Sequence, residues 1–148
     1  MAELSYVDAQ TVPYAQAALL NNASPICRCN RGDGVVHTNG SGIITLKGNR
    51  TYSAKLSANI AVATGATVGE IGIAFAINGE AIPDTIAVAT PAAAGDFWNV
   101  SAFKEITVPC GCCVTLSVEN VSPGATPGAA GPAIDIRNLN VDVNPVLV

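Results

Sequence analysis

The sequence predicts an all-β fold of eight to nine short antiparallel strands behind an N-terminal arm. Three observations predict it. Apolar residues alternate with small or polar ones through most of the chain, which is the period of a half-buried strand. Gly, Pro and Asn turn signals recur between these runs at regular spacing, favouring a sandwich, a jelly roll or a closed barrel. Helical character is confined to one short stretch, VPYAQAALLNN at 12–22, which suits an extended arm or edge strand equally.

Taken in order, residues 1–25 are the arm and 26–148 the β domain. GVVHTNGSGIITLKG, 34–48, reads as two short strands around a Gly-rich turn. In 52–62, Ala54, Leu56, Ala58, Ile60 and Val62 share one face, and Lys55, Ser57 and Asn59 the other. In IGIAFAI, 71–77, the isoleucines and Phe75 share a face, and Gly72, Ala74 and Ala76 form an opposite face of small residues. Asn78-Gly79 follows, the strongest short hairpin signal, because both central positions of a type I′ turn need positive φ. The return strand, 80–90, contains Pro83, which lacks a donor and belongs at an edge or bulge. FWNVSAFKEITV, CCVTLSVEN and AIDIRNLNVDV complete the strands, with a Gly-, Pro- and Ala-rich loop at 121–132 before the last.

A chain of 148 residues is one domain long and buries roughly 70% of its unfolded surface without staples. Only 12% of the residues are charged and 49% are hydrophobic, where about a quarter charged is ordinary. So little charge implies that part of the surface is hidden in an assembly. The net charge of −4 and the scatter of the seven basic residues exclude the basic footprint of nucleic-acid binding. The opening MAELSYVDAQ has neither a basic nor an apolar signal region, and no apolar run reaches membrane-spanning length. The expectation is synthesis in a cytoplasm, without membrane insertion.

Five cysteines occupy two patches, Cys27 and Cys29, and Cys110, Cys112 and Cys113. In an extended strand over 108–118, Cys110 and Cys112 share the face of Val114 and Leu116, with Cys113 opposed. Cys27 and Cys29 likewise share a face. Four thiols from two adjacent strands could meet on zinc, but strand geometry spreads the sulfurs of C-x-C about 7 Å apart, whereas structural zinc favours C-x₂₋₄-C knuckles. The readings are buried or half-buried thiols, a disulfide within or between chains, and a metal cluster of Cys27, Cys29, Cys110 and Cys112, in that order of preference. No C-x-x-C redox motif is present.

The single His37 reads as a strand-edge residue; a pairing with Ser41 lacks the strand–turn–helix context of a nucleophile elbow. The carboxylates form no local acid pair, calcium loop or phosphate loop. Arg31-Gly32-Asp33 is short enough to recur by chance, and the Asn-x-Ser/Thr triplets read as turn residues. Of the adjacent Phe97 and Trp98, one must leave the core, to meet a neighbouring subunit or a sugar. No catalytic residue, cofactor or metal site is assigned, and the chain is read as no enzyme.

The run from Gly65 to Asn120 resembles the small jelly-roll domains of the tumour-necrosis-factor and complement-globular type, above all the bacterial and phage versions. Those cap collagen-like spore-surface proteins or stand as separate virion proteins. The likeness rests on the Asn78-Gly79 hairpin with Pro83, Thr90-Pro91, Asn99-Val100-Ser101 and VPCGCCVTLSVEN. Including CNRGDGVVHTNGSGIITLKG, it spans about residues 27–143. The resemblance implies a jelly-roll sandwich that packs as a trimer, with Gly72, Ala74, Ala76, Phe97 and Trp98 as the expected interface. A short arm replaces the collagen stalk. The function expected is a trimeric phage virion protein that decorates or cements a capsid, bound to the major capsid protein through its arm. The alternative is a host-surface or glycan-recognition module at a head fibre or tail-fibre tip.

Overall fold

The computed structural model describes residues 2–22 and 34–146. Cys27, Cys29, the Arg31-Gly32-Asp33 tripeptide and the predicted arm–domain boundary lie outside the described residues. The strands are β1 (Ala2–Tyr6), β2 (Gln10–Val12), β3 (Asn21–Asn22), β4 (Val35–His37), β5 (Ile44–Lys47), β6 (Arg50–Val62), β7 (Ile71–Ile77), β8 (Glu80–Ala81), β9 (Ala87–Ala89), β10 (Trp98–Val108), β11 (Cys113–Asn120) and β12 (Ile134–Pro145).

The alternation read in the sequence is what places the core. Along β6, Tyr52, Ala54, Leu56, Ala58, Ile60 and Val62 are buried, while Lys55 and Ser57 face solvent. Its neighbours follow suit. Val100, Ile106 and Val108 of β10 and Ile134, Ile136, Val141 and Val143 of β12 point the same way. They meet Ile71, Ile73 and Phe75 of β7 and Leu116 and Val118 of β11 from the second sheet. The first sheet runs β10-β6-β12-β1-β3, with β2 also on β12; the second runs β4-β5-β11-β7-β8, with β9 also on β7. Every strand pair is antiparallel. The architecture is a jelly-roll β-sandwich, as expected, with more strands than predicted.

The extra strands come from two places. The 80–90 run is not continuous: β8 stops after two residues, a 3-10 turn spans Pro83–Thr85, and β9 resumes the ladder. Thr85 bridges the break, its hydroxyl accepting from the Phe75 amide at 3.0 Å and donating to the Ile82 carbonyl at 2.8 Å. The hairpin before it forms as read, with Asn78 and Gly79 at φ of 52° and 83°.

The second source is the N-terminal segment, which corrects the arm. β1 is an internal strand, paired with β12 on one side and β3 on the other. Residues 13–20 then cross to the second sheet, where the amides of Ala15 and Ala18 donate to the carbonyls of Asn120 and Val118 at 2.9 and 2.8 Å. The side chain of Gln10 both accepts from the Leu19 amide and donates to its carbonyl, tying β2 to this crossing. Leu4, Val12, Ala18 and Leu20 are in the core. Segment 2–22 is therefore built into the sandwich rather than hanging free of it, with Val7, Tyr14 and Leu19 left exposed on its outer side.

Asn120, at the end of β11, is fully buried. Its Nδ2 donates to the carbonyls of Val12 and Pro132, both at 2.9 Å, and its Oδ1 accepts from the Ser122 amide at 3.0 Å and hydroxyl at 2.6 Å. Ser122 Oγ in turn accepts from the Gly72 amide at 3.1 Å. Gly131 is obligatory here, since a Cβ would run into the Ser122 carbonyl.

Two stability outcomes follow. Leu4→Ala is expected to cost about 2–5 kcal/mol in urea unfolding, the range of a core truncation, and deletion of residues 2–22 to abolish the cooperative transition. Asn120→Ala is expected to cost about 3 kcal/mol or more, because it strands buried partners, whereas Asn99→Ala at an exposed position should stay within about 0.5 kcal/mol.

Candidate interaction surface

The outward face of the first sheet is assembled from alternate residues of β10, β6, β12 and β1. Directly opposite positions share a face. The register therefore lays out a row Phe103–Lys55–Asp142–Glu3 and beside it Ser101–Ser57–Asn140–Ser5. A third row, Asn99–Asn59–Arg137, closes one end, next to the irregularity where Asn138 takes a φ of 52°. Lys55, Ser57, Ser101, Phe103, Asn140 and Asp142 line an open hollow of about 490 Å³.

Phe103 is the anomaly of this face. It is 53% exposed in the middle of a strand, among hydroxyls, amides and charges, with the Lys55 ammonium 5.9 Å from its ring centroid. Glu3 and Asp142 oppose each other across β1 and β12, a like-charge pair that is unfavourable in a sheet. Burial raises the Asp142 carboxyl above the usual carboxylate range; Glu3 raises it further, and Lys55 pulls it back. Glu119, on the second sheet, is also raised by burial, with the Ser117 hydroxyl opposing the shift.

The residues expected at an interface are distributed differently. Gly72, Ala74 and Ala76 are buried within the chain. A Cβ at Gly72 would lie 3.2 Å from Val88 Cγ1, so the small residue serves the approach of β9, Gly72's own ladder partner. These three positions offer no surface to a neighbouring subunit. Phe97 is half-buried beneath the Arg137 guanidinium, 4.3 Å from the ring centroid. Trp98 is 50% exposed, its Nε1 donating to Asp96 Oδ2 at 3.2 Å. Phe103 was missed, although its parity along β10, opposite to Val100, Ile106 and Val108, already pointed it outward.

The cysteine reading is corrected as well. Cys110 and Cys112 are not in a strand. The Cys112 amide closes a turn on the Pro109 carbonyl at 3.3 Å, with Gly111 at a φ of 80°. Cys110, Cys112 and Cys113 are exposed free thiols rather than sheet filling. No His, Cys, Asp and Glu group among the described residues is arranged to hold a metal ion. His37 lies on β4, the strand that ends the second sheet, with its side chain buried, and its Nε2 donates to the Ser41 carbonyl at 2.7 Å. The Ser41 hydroxyl instead accepts from the Ile43 amide, so the two side chains do not form a nucleophile–base pair. At the far end of the sandwich, loops 63–70 and 121–133 enclose an open cleft of about 490 Å³, whose lining carries the Glu70 carboxylate.

No family model and no curated protein matches the sequence. Among solved structures, the chain is similar to Eiger TNF from S. frugiperda, with TM-score 0.66, 8% identity, and coverage of 99% of this chain and 92% of that one. It is also similar to the globular domain of zebrafish complement 1qA protein, with TM-score 0.55, 12% identity, and coverage of 99% and 97%. The PRD1 vertex protein P5 superposes more loosely, with TM-score 0.48, 11% identity, and coverage of 99% and 96%. The likeness to the first two establishes the fold.

The charge arrangement on the first sheet makes a pH prediction. Asp142 binds its proton more tightly in the folded than in the unfolded chain. Stability therefore falls as pH rises from the ordinary carboxylate range through the raised folded value. Asp142→Asn is expected to stabilise the protein at neutral pH, within about 0.5 kcal/mol, and to lose that advantage below the ordinary carboxylate pKa. Thermal melts of both proteins across acid to neutral pH check this; an advantage that grows on acidification contradicts it.

Proposed function

We propose that the protein is a self-associating structural component of a phage virion. It is made in the host cytoplasm and forms a trimer that decorates or cements the capsid surface. It acts by binding, not by catalysis. The observation that carries this reading is Phe103, an uncovered aromatic on an otherwise polar sheet face, beside a hollow. The low charge content supports the same conclusion, since a chain with 12% charged residues keeps some surface out of water by association.

The location of Phe103 supports a ring. β10 ends its sheet, so a neighbour covering Phe103 also covers a strand edge, which is otherwise a site of uncontrolled pairing. Where the covering patch on the neighbour is a different one, the contact is head-to-tail and closes by rotation into a ring. The resemblance of residues 27–143 to trimeric jelly rolls favours threefold closure. Docking on the major capsid protein then uses folded surface, the exposed side chains of segment 2–22 included, and not a free arm.

A second reading, host-glycan recognition, draws on the loop-end cleft and half-exposed Trp98. Its volume is in the range of small-ligand sites. Trp98-dependent binding on a glycan array, by a protein that fails to bind capsids, would favour it.

Light scattering after size exclusion is expected to give three times the chain mass at micromolar concentration, and Phe103→Glu to give a monomer that still unfolds cooperatively, its melting temperature lowered by the lost association. A monomeric wild type overturns the assembly. Failure of the trimer to co-sediment with capsids overturns decoration while leaving self-association intact.

A further inference from the structure

Free cysteine is among the residue types most often buried, yet the turn between β10 and β11 exposes three within four positions. The turn is held firmly. The Asn49 amide donates to the carbonyls of Val108 and Pro109, at 2.9 and 3.2 Å. Gly48 lies against its backbone so closely that a Cβ would collide with the carbonyls of Pro109 and Cys112. The thiols therefore stand on a fixed platform, and none of the three is used to fill the core.

The charge beside them is specific. Cys113 is the direct cross-strand partner of Lys47, so the thiol and the exposed ammonium share the outward face of the second sheet, Cβ atoms about 5 Å apart. In a chain of net charge −4 this is a local cationic spot. Two copies meeting turn to turn would bring their Lys47 ammoniums together. An anionic small molecule would be drawn in instead.

We propose that the Cys110–Cys113 turn is a thiol–disulfide exchange site for anionic low-molecular-weight disulfides of the glutathione class, with Cys113 as the attacking group. The Cys113 thiolate attacks one sulfur of the small disulfide, whose S–S bond breaks. A mixed disulfide forms on Cys113, and the other half leaves as a thiolate that takes up the proton Cys113 gave up. The protein sulfur is oxidised and half of the disulfide is reduced, so no further oxidant enters the balance.

The full-length protein is incubated with glutathione disulfide or with cationic cystamine, and the adduct is located by peptide mapping. The expected result is a glutathionyl adduct within residues 110–113, or that peptide two hydrogens lighter after a neighbouring thiol resolves it. Glutathione disulfide should react about tenfold faster than cystamine, the scale of electrostatic steering at a charged spot. Lys47→Glu should abolish or reverse the preference, and Cys113→Ser should remove most of the adduct. Both substitutions are at exposed positions, and an unchanged melting temperature confirms folding. Adducts confined to Cys27 or Cys29, or rates blind to the charge of the disulfide, overturn the proposal.

Discussion

The side chain of Asn120 is the constraint on which the rest of the sandwich depends. It sits without solvent contact at the end of β11 and spends its two donors and its acceptor on Val12, Pro132 and Ser122. Those residues belong to the end of β2 just before the N-terminal crossing, the lead into β12 and the long loop after β11. Ser122 extends the network to Gly72 at the head of β7. A buried amide with every group paired fixes relative positions in a way that apolar packing does not, because each bond demands direction as well as contact. Apolar alternation brings the two sheets together; this network decides how the chain ends are threaded across the opening between them.

That threading explains why residues 2–22 are structural. Once Val12 is held by Asn120 and Ala15 and Ala18 are bonded along β11, the segment before them must run back beside β12, where Leu4 enters the core. The outward face of the first sheet thereby acquires Glu3 opposite Asp142. A like-charge pair at neighbouring positions costs stability, and nothing in the core requires it. It persists on the same face as uncovered Phe103 and a hollow of hydroxyls and amides. Neither the repulsion nor the exposed aromatic adds to the stability of the single chain, which is why the proposed assembly is placed on this face.

The core strands were legible because their signal is local. Alternation over 52–62 and 71–77 fixes which side chains face inward whatever the partner, and Asn78-Gly79 dictates its own turn. The N-terminal segment was not legible because its buried residues, Leu4, Val12, Ala18 and Leu20, are interspersed with exposed apolar ones such as Val7, Tyr14 and Leu19, so no clean strand alternation marks them. Their burial depends on distant partners, β12 for Leu4 and Val12, β11 for Ala18 and the Gly40–Ser41 turn for Leu20. The three small residues of β7 illustrate a different failure. Small side chains do mark close approach, but the sequence does not say whether the approaching backbone belongs to the same chain, and here it is β9 that meets Gly72. The cysteine register failed for a local reason. Pro109 and Gly111 are turn signals, and reading 108–118 as one extended strand overrode them.

The thiol turn and the Asn120 network lie at opposite ends of β11, and this separation has a physical consequence. Covalent change at Cys113 alters an exposed side chain beside Lys47, on a turn braced by Asn49 and the flat backbone at Gly48. The buried bonds that thread the chain are seven residues further along the same strand, inside the other end of the sandwich. Chemistry at the turn therefore leaves the fold intact. The polar face around Phe103 belongs to the other sheet. The turn follows directly on β10, the strand that carries Phe103, but the assembly proposed through that face and the exchange proposed at Cys113 draw on different side chains and different sheets, so each can be tested by substitution without touching the residues of the other.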